Sequence, residues 1–248
     1  MMLLIDIGNS RVKWAWMEGA ALSEQISLAH GGEVGSDWLQ LVASEGRRPQ
    51  RVLVSNVAGS RMADAITRLL RQQYGVEPQF AEVGAHAAGV TCAYRDPSQL
   101  GVDRWLAVIG AWHRAKRAAC IVSSGTATTV DAVDANGLHL GGLIVPGLDL
   151  MEESLLKRTS DIAKAAGVAP RAPATLFADN TSAAVRNGAV FATAALAERA
   201  ATELERRAGR EPAVILTGGK ATRIAPCFAR PPDVVPDLVL QGLAAWAH

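Results

Sequence analysis

The residue types that phosphate chemistry needs occur in three short stretches of this chain. Asp6-Ile7-Gly8-Asn9-Ser10-Arg11-Val12-Lys13 begins where an apolar run ends. Gly8 lets the backbone turn tightly and approach a phosphate with no Cβ in the way. Successive N–H groups in such a turn form an anion-binding nest. Asn9 and Ser10 add side-chain donors, Lys13 adds a positive charge, and Asp6 suits a Mg2+ ion or its water shell. Read alone, the stretch is equally an ordinary Asx/Gly hairpin, because short glycine motifs recur by chance. Gly125-Thr126-Ala127-Thr128-Thr129 is a second such turn, rich in hydroxyls. Two nests facing each other would hold a polyphosphate from both sides.

The third stretch, Gly101-Val102-Asp103-Arg104, opens a predicted helix. A helix N-terminus attracts anions, and Arg104 can grip a carboxylate or phosphate in bidentate fashion. Asp103 would then be a carboxylate beside that site, able to accept the proton of a substrate hydroxyl. Phosphoryl transfer draws most of its catalysis from positioning and charge neutralisation. Without context, an Asp that complements the helix dipole and an exposed Arg explain the same residues. Tyr94 lies in the loop before this helix and either lines the same pocket or caps the core. Thr181 is the natural N-cap of a long helix from Ser182; in a cleft it could instead donate to a substrate carbonyl. Gly218-Gly219 either lets backbone approach a nucleotide or makes a strand-to-helix turn. None of the five histidines has a visible nucleophile or metal partner, and none is assigned a role.

These residues sit on an alternating pattern of elements. Met2–Ile7 and Val12–Met17 read as strands, Ile26–Leu28 as a third, and Arg51–Ser55 as a fourth. Ser60–Tyr74 reads as a helix with Ser60 as N-cap and Gly75 as its stop. Gln79–Val83 reads as a strand and Gly101–Arg117 as a helix. The pattern then restarts. Ala119–Ser123, Thr128–Val133 and Leu138–Val145 are predicted strands, with Asn136-Gly137 as a hairpin signal. Helices at Leu148–Ala165 and Ser182–Ala208 and a strand at Ala213–Leu216 follow. Leu4-Ile5-Asp6-Ile7-Gly8-Asn9-Ser10 overlays on Ile121-Val122-Ser123-Ser124-Gly125-Thr126-Ala127. An approximate repeat of a whole domain results. It predicts two similar α/β domains, residues 1–117 and 118–248, each a mixed sheet with helices on its faces, meeting across a ligand-binding cleft.

Bulk properties narrow the classes. Half the residues are hydrophobic, and 25 basic against 24 acidic residues leave no electrostatic footprint for nucleic acid or an anionic membrane. The three cysteines are far apart, which argues against a disulfide framework or a zinc site and for reduced cytoplasmic thiols. The apolar start stops at Asp6 and has no basic flank, so no secretory signal is expected. Leu106–Trp112 is broken by charges and cannot span a bilayer.

Taken in order, Asp6-Ile7-Gly8-Asn9-Ser10, Gly101-Val102-Asp103-Arg104, Gly125-Thr126-Ala127-Thr128-Thr129 and Gly141-Gly142-Leu143-Ile144-Val145-Pro146-Gly147 resemble the type III pantothenate kinases. The resemblance implies the duplicated ribonuclease H-like fold of actin, Hsp70 and the acetate and sugar kinases. It implies ATP-dependent phosphorylation of pantothenate, the first committed step to coenzyme A, in a homodimer with the pantothenate pocket at the subunit interface. Carried over by position, it makes Asp6 to Lys13 the first ATP-phosphate loop, Thr126 a second ATP contact and Asp103 the general base. Gly101 to Arg104, Tyr94 and Thr181 fall where pantothenate is contacted. One position departs from the pattern. Where many members carry an Asp tied to potassium or ammonium, two residues before Gly125, this chain has Ser123. Two other readings remain open from the sequence: a non-catalytic nucleotide-binding scaffold or regulator on the same fold, and a kinase of another small hydroxylated substrate.

Overall fold

A computed structural model describes residues 1–31, 38, 42–43, 46–158 and 175–247. The chain divides into two compact units. The first holds Met1–Arg114 together with the segment from Asp237; the second is Ala115–Pro236.

In the first unit, β1 (Met2–Ile7) and β2 (Arg11–Glu18) form an antiparallel hairpin. β3 (Ala21–Leu22) and β4 (Ile26–Ala29) both pair with β2. β5 (Arg51–Asn56) joins the other edge of β1 in parallel, and β6 (Pro78–Phe80) follows it. The sheet order is β3-β2-β1-β5-β6. β7 (His86–Ala87) and β8 (Val90–Thr91) make a separate small hairpin. Strand alternation gives β1 two faces. Leu3, Ile5 and Ile7 join Val12, Trp14, Val52 and Val54 in a core covered by α1 (Ser60–Tyr74) through Met62, Ile66 and Leu70. Leu4 and Asp6 lie on the opposite face. α2 (Val102–Ala115) is almost wholly buried from Arg104 to Ala111.

The second unit repeats this plan. β9 (Ala119–Ser124), β10 (Ala127–Val133) and β11 (His139–Pro146) form an antiparallel meander. α3 (Leu148–Arg158) and the long α4 (Thr181–Ala208) follow. β12 (Ala213–Thr217) then pairs in parallel with β9, α5 (Ala221–Ile224) is one short turn, and β13 (Asp233–Val234) closes the sheet. The order β11-β10-β9-β12-β13 has the same topology as the first sheet. The two five-strand paths correspond, and the first sheet carries β4 on β2 as an additional strand. One face of this sheet packs Cys120, Val122, Val130 and Leu216 against Ala189, Val190, Ala194 and Ala197 of α4.

Three sequence readings need correction. The last helix, α6 (Leu238–Trp246), belongs with the first unit rather than with residues 118–236, because it packs on β1, β2 and β5. It crosses α2 where both backbones are bare. A Cβ on Gly242 would overlap the Leu106 carbonyl oxygen, and a Cβ on Gly110 would run into that of Leu238. Ser60 is not the cap of α1. Gly59 holds that position, reached through a turn in which the Asn56 side chain accepts from Ala58 N and donates to Gly59 O. Thr181 is likewise the first residue inside α4, since the Asn180 side chain accepts from Ala183 N at 2.9 Å and is the true cap. Residues 159–165, read as the end of a helix from Leu148, lie outside the described residues.

Candidate active site

Asp6 is placed by register. Antiparallel pairing puts it opposite Lys13, and parallel pairing puts it opposite Ser55. All three side chains therefore share one face. The Ser55 hydroxyl donates to Asp6 Oδ1 at 3.0 Å, and Lys13 Nζ stands 3.8 Å from Oδ2. Asp6 is only 5% exposed. Burial raises its pKa above the ordinary 3.8; Lys13 opposes this, the charge of Asp103 adds to it, and the Ser55 hydrogen bond opposes it. Asp103 is thus near enough to act on Asp6 electrically. Ile7 and Val12, by contrast, are buried in the opposite core, so only their backbone could meet a nucleotide.

The turn between β1 and β2 is held from one side. Gly8 N–H donates to Arg11 O at 3.0 Å, while Asn9 and Ser10 are exposed. The Arg11 side chain bends to Ser27, with Nε 2.8 Å from Ser27 Oγ. His30, which the sequence left without a role, follows β4. Its N–H donates to Ser10 O at 3.0 Å, and its Nε2 lies 2.8 Å from Gly8 O.

At the start of α2, Asp103 folds back over Gly101. A Cβ at Gly101 would stand 2.8 Å from Asp103 Oδ1, so glycine there makes room for the carboxylate. Oδ1 also accepts from Arg104 N at 2.8 Å. Val102 is half-buried beside it. Arg104 is buried, with Nη1 3.2 Å from Tyr94 Oη and its guanidinium 5.9 Å from the Tyr94 ring centroid. The sequence-stretch pair Tyr94 and Arg104 is therefore one physical unit.

The second turn is exposed at Gly125 and Thr126. Two glycines press on it. Gly147 N–H donates to Thr126 O at 3.0 Å, and a Cβ at Gly147 would overlap the Gly125 and Thr126 carbonyls. Gly218 has φ +90°, and a Cβ there would strike the Ser124 backbone. Gly218 thus approaches the chain's own loop, not open space, whereas Gly219 has open space beside it. Ser123 pairs across the sheet with Thr129 and Thr217, the counterparts of Lys13 and Ser55 around Asp6. Thr126 and Thr181 belong to this unit, and Asp6, Tyr94, Asp103 and Arg104 to the first.

Among the described residues no cluster of three or more His, Cys, Asp or Glu side chains could hold a metal ion, and no helix is long and apolar enough to cross a membrane. What the first unit does offer is the two neighbouring carboxylates Asp6 and Asp103. That donor set fits Mg2+, which keeps several waters and takes one or two carboxylates together with substrate phosphates.

A family description matches residues 2–203, that of the type III pantothenate kinases. The chain belongs to that family. A type III pantothenate kinase of Nitrosococcus oceani is 35% identical across all of this chain and 94% of its own length. That of Nitrosospira multiformis is 38% identical, covering 100% and 91%. As a type III pantothenate kinase the chain is an enzyme, a phosphotransferase. Solved structures agree on the fold. A Sinorhizobium meliloti protein provisionally named a 2-dehydro-3-deoxygalactonokinase superposes with a TM-score of 0.63 at 14% identity, covering 100% of this chain and 98% of its own. The activator of 2-hydroxyisocaproyl-CoA dehydratase from Clostridium difficile, solved with bound ADPNP, gives 0.54 at 15%, covering 99% and 93%. The fold is that of the actin-like ATPases and sugar kinases, with a ribonuclease H-like sheet in each unit.

Proposed function

We propose that this type III pantothenate kinase phosphorylates pantothenate with ATP, the first step of coenzyme A synthesis, and that Asp103 is its base. The observation that carries the assignment is the Asp103 carboxylate, folded over Gly101 at a helix start and near Asp6. It would accept the proton of the primary hydroxyl as that oxygen attacks the terminal phosphorus of ATP, whose bond to the bridging oxygen breaks to release ADP. Arg104, stacked on Tyr94, would hold substrate polar groups, and Gly101 and Val102 would line the same pocket. Thr181, relieved of capping by Asn180, would donate to the substrate. The Asp6–Lys13 turn would cradle the phosphates, and Thr126 is proposed separately as an ATP contact. Asp6 would hold Mg2+, directly or through water, and the ion would neutralise charge on the transferring phosphoryl group.

We further assign a homodimer. β11 is a sheet edge that exposes Leu143 by 48% and Ile144 by 63%, and exposed apolar edges invite pairing. The site works in the cytoplasm, where ATP is available and its cysteines, free among the described residues, stay reduced. Potassium or ammonium plays a small part, because Ser123 brings no charge. Assaying ATP turnover with and without pantothenate tests the main reading. Turnover that ignores pantothenate would sink it.

A further inference from the structure

The carbonyl oxygens of a phosphate-binding turn repel the anion that its amides attract, so something must hold them away. In this chain one residue engages two of them. β4 pairs antiparallel with β2, Arg11 opposite Ala29, so the next residue, His30, falls beside the turn. Its N–H donates to Ser10 O at 3.0 Å and its ring Nε2 stands 2.8 Å from Gly8 O. A carbonyl oxygen only accepts, so Nε2 must carry the proton. Among the described residues no peptide bond is cis. In a planar trans peptide the C=O and the following N–H point in opposite directions. Fixing Gly8 O toward His30 therefore fixes the Asn9 N–H away from it.

We propose that His30 is a positioning residue for nucleotide binding. It locks the Gly8–Asn9 peptide plane so that the Asn9 amide, not the Gly8 carbonyl, meets the ATP phosphates. This rests on reading Asp6–Lys13 as the phosphate loop. Rotation of that plane would turn an attractive dipole into a repulsive one for the anion seated on this turn, and would not act on a substrate bound elsewhere.

The test compares His30→Leu, which keeps bulk but has no donor, with His30→Gln, whose side-chain amide can donate to Gly8 O. Steady-state kinetics on the full chain are read for both substrates, with melting temperature alongside. The expected result is a KM for ATP raised about tenfold in His30→Leu, the scale of one hydrogen bond. The KM for pantothenate should be unmoved and His30→Gln should lie near wild type. A KM for ATP within twofold of wild type in His30→Leu overturns the proposal. So does a parallel rise for both substrates that Gln fails to rescue, which would mark a merely structural role. Lys13→Met serves as the control for the loop itself. If it raises the KM for ATP while His30→Leu does not, only the role of His30 falls. If neither does, the loop reading falls and takes this proposal with it.

Discussion

Asp103, at the first turn of α2, acts electrically on Asp6, at the end of β1. Burial lifts the Asp6 carboxyl above its ordinary pKa of 3.8, and the negative charge of Asp103 pushes it the same way, more than Lys13 and Ser55 undo. Replacing Asp103 by Asn should keep the fold and ATP binding and remove most turnover, about 10²–10⁴-fold, the usual worth of a positioned base. Titrating a fluorescent ATP analogue alongside turnover separates the two. Near wild-type turnover would take Asp103 out of the chemistry.

The same relationship makes a stability prediction for Asp6. Its folded pKa is above its unfolded pKa, so between the two values the folded state binds more protons. Stability then falls as pH rises through that window, and the loss is complete above the folded pKa. Asp6→Asn keeps an acceptor for Ser55 and carries no charge. It should melt above wild type at pH 8, and the gap should close on acidification toward pH 4, while turnover collapses. Calorimetry across that range reads the effect; a variant that melts lower at pH 8 would show that Lys13 depends on the carboxylate more than burial opposes it.

Ser123 sets the expectation for monovalent cations. In the second sheet it occupies the place that Asp6 holds in the first. Asp131 is bound to buried His139 at 3.1 Å, and Asp134 Oδ1 accepts the Asn136 and Leu138 amides in the β10–β11 turn. Both carboxylates are committed to internal partners. Replacing potassium by a bulky organic cation at fixed Mg2+ and ionic strength should change turnover by less than about twofold, and Ser123→Asp should introduce potassium stimulation. A collapse of wild-type activity without potassium would show a cation site built without that carboxylate.

The dimer is tested at β11. Wild type should sediment as a dimer, and Leu143→Glu with Ile144→Glu should sediment as a monomer with weakened activity. A wild-type monomer of full activity would remove the partner from the site.

The crossing of α2 and α6 gives a structural prediction. Gly242→Ala forces a methyl group against the Leu106 carbonyl. Overpacking of this kind costs about 1–3 kcal/mol, and α2 also carries Asp103. Both melting temperature and kcat should fall, whereas Gly219→Ala, beside open space, should leave the melting temperature within a degree or two.

Most of the sheet strands and the duplication were legible because apolar runs ending in Asp6-Ile7-Gly8 and Ser123-Ser124-Gly125 carry their own punctuation. Asp103 was legible as a charged residue at a helix start. Ser55 was not, because its meeting with Asp6 depends on a parallel register that no local pattern states. His30 was missed for the same reason, since its partner is a backbone carbonyl and leaves no side-chain signature. The caps of α1 and α4 were placed one residue late: at α1 the cap is Gly59, which has no capping side chain to announce it, and at α4 the Asn180 side chain takes the amide that the Thr181 hydroxyl was expected to take. The tail was assigned to the wrong unit because no local pattern states what Gly242 packs against. Only opposite Leu106 and Gly110 does it become a point of contact.

That tail has a consequence for how the molecule is made. The first unit is discontinuous: the whole of Ala115–Pro236 is synthesised between α2 and α6, which packs on β1. On the ribosome, the sheet that bears Asp6 must wait for α6, which packs on β1, β2 and β5, until the second unit has already emerged. The second unit is continuous in sequence. The order of maturation therefore runs against the order of the sequence, and the half that begins the chain is the half that is finished last.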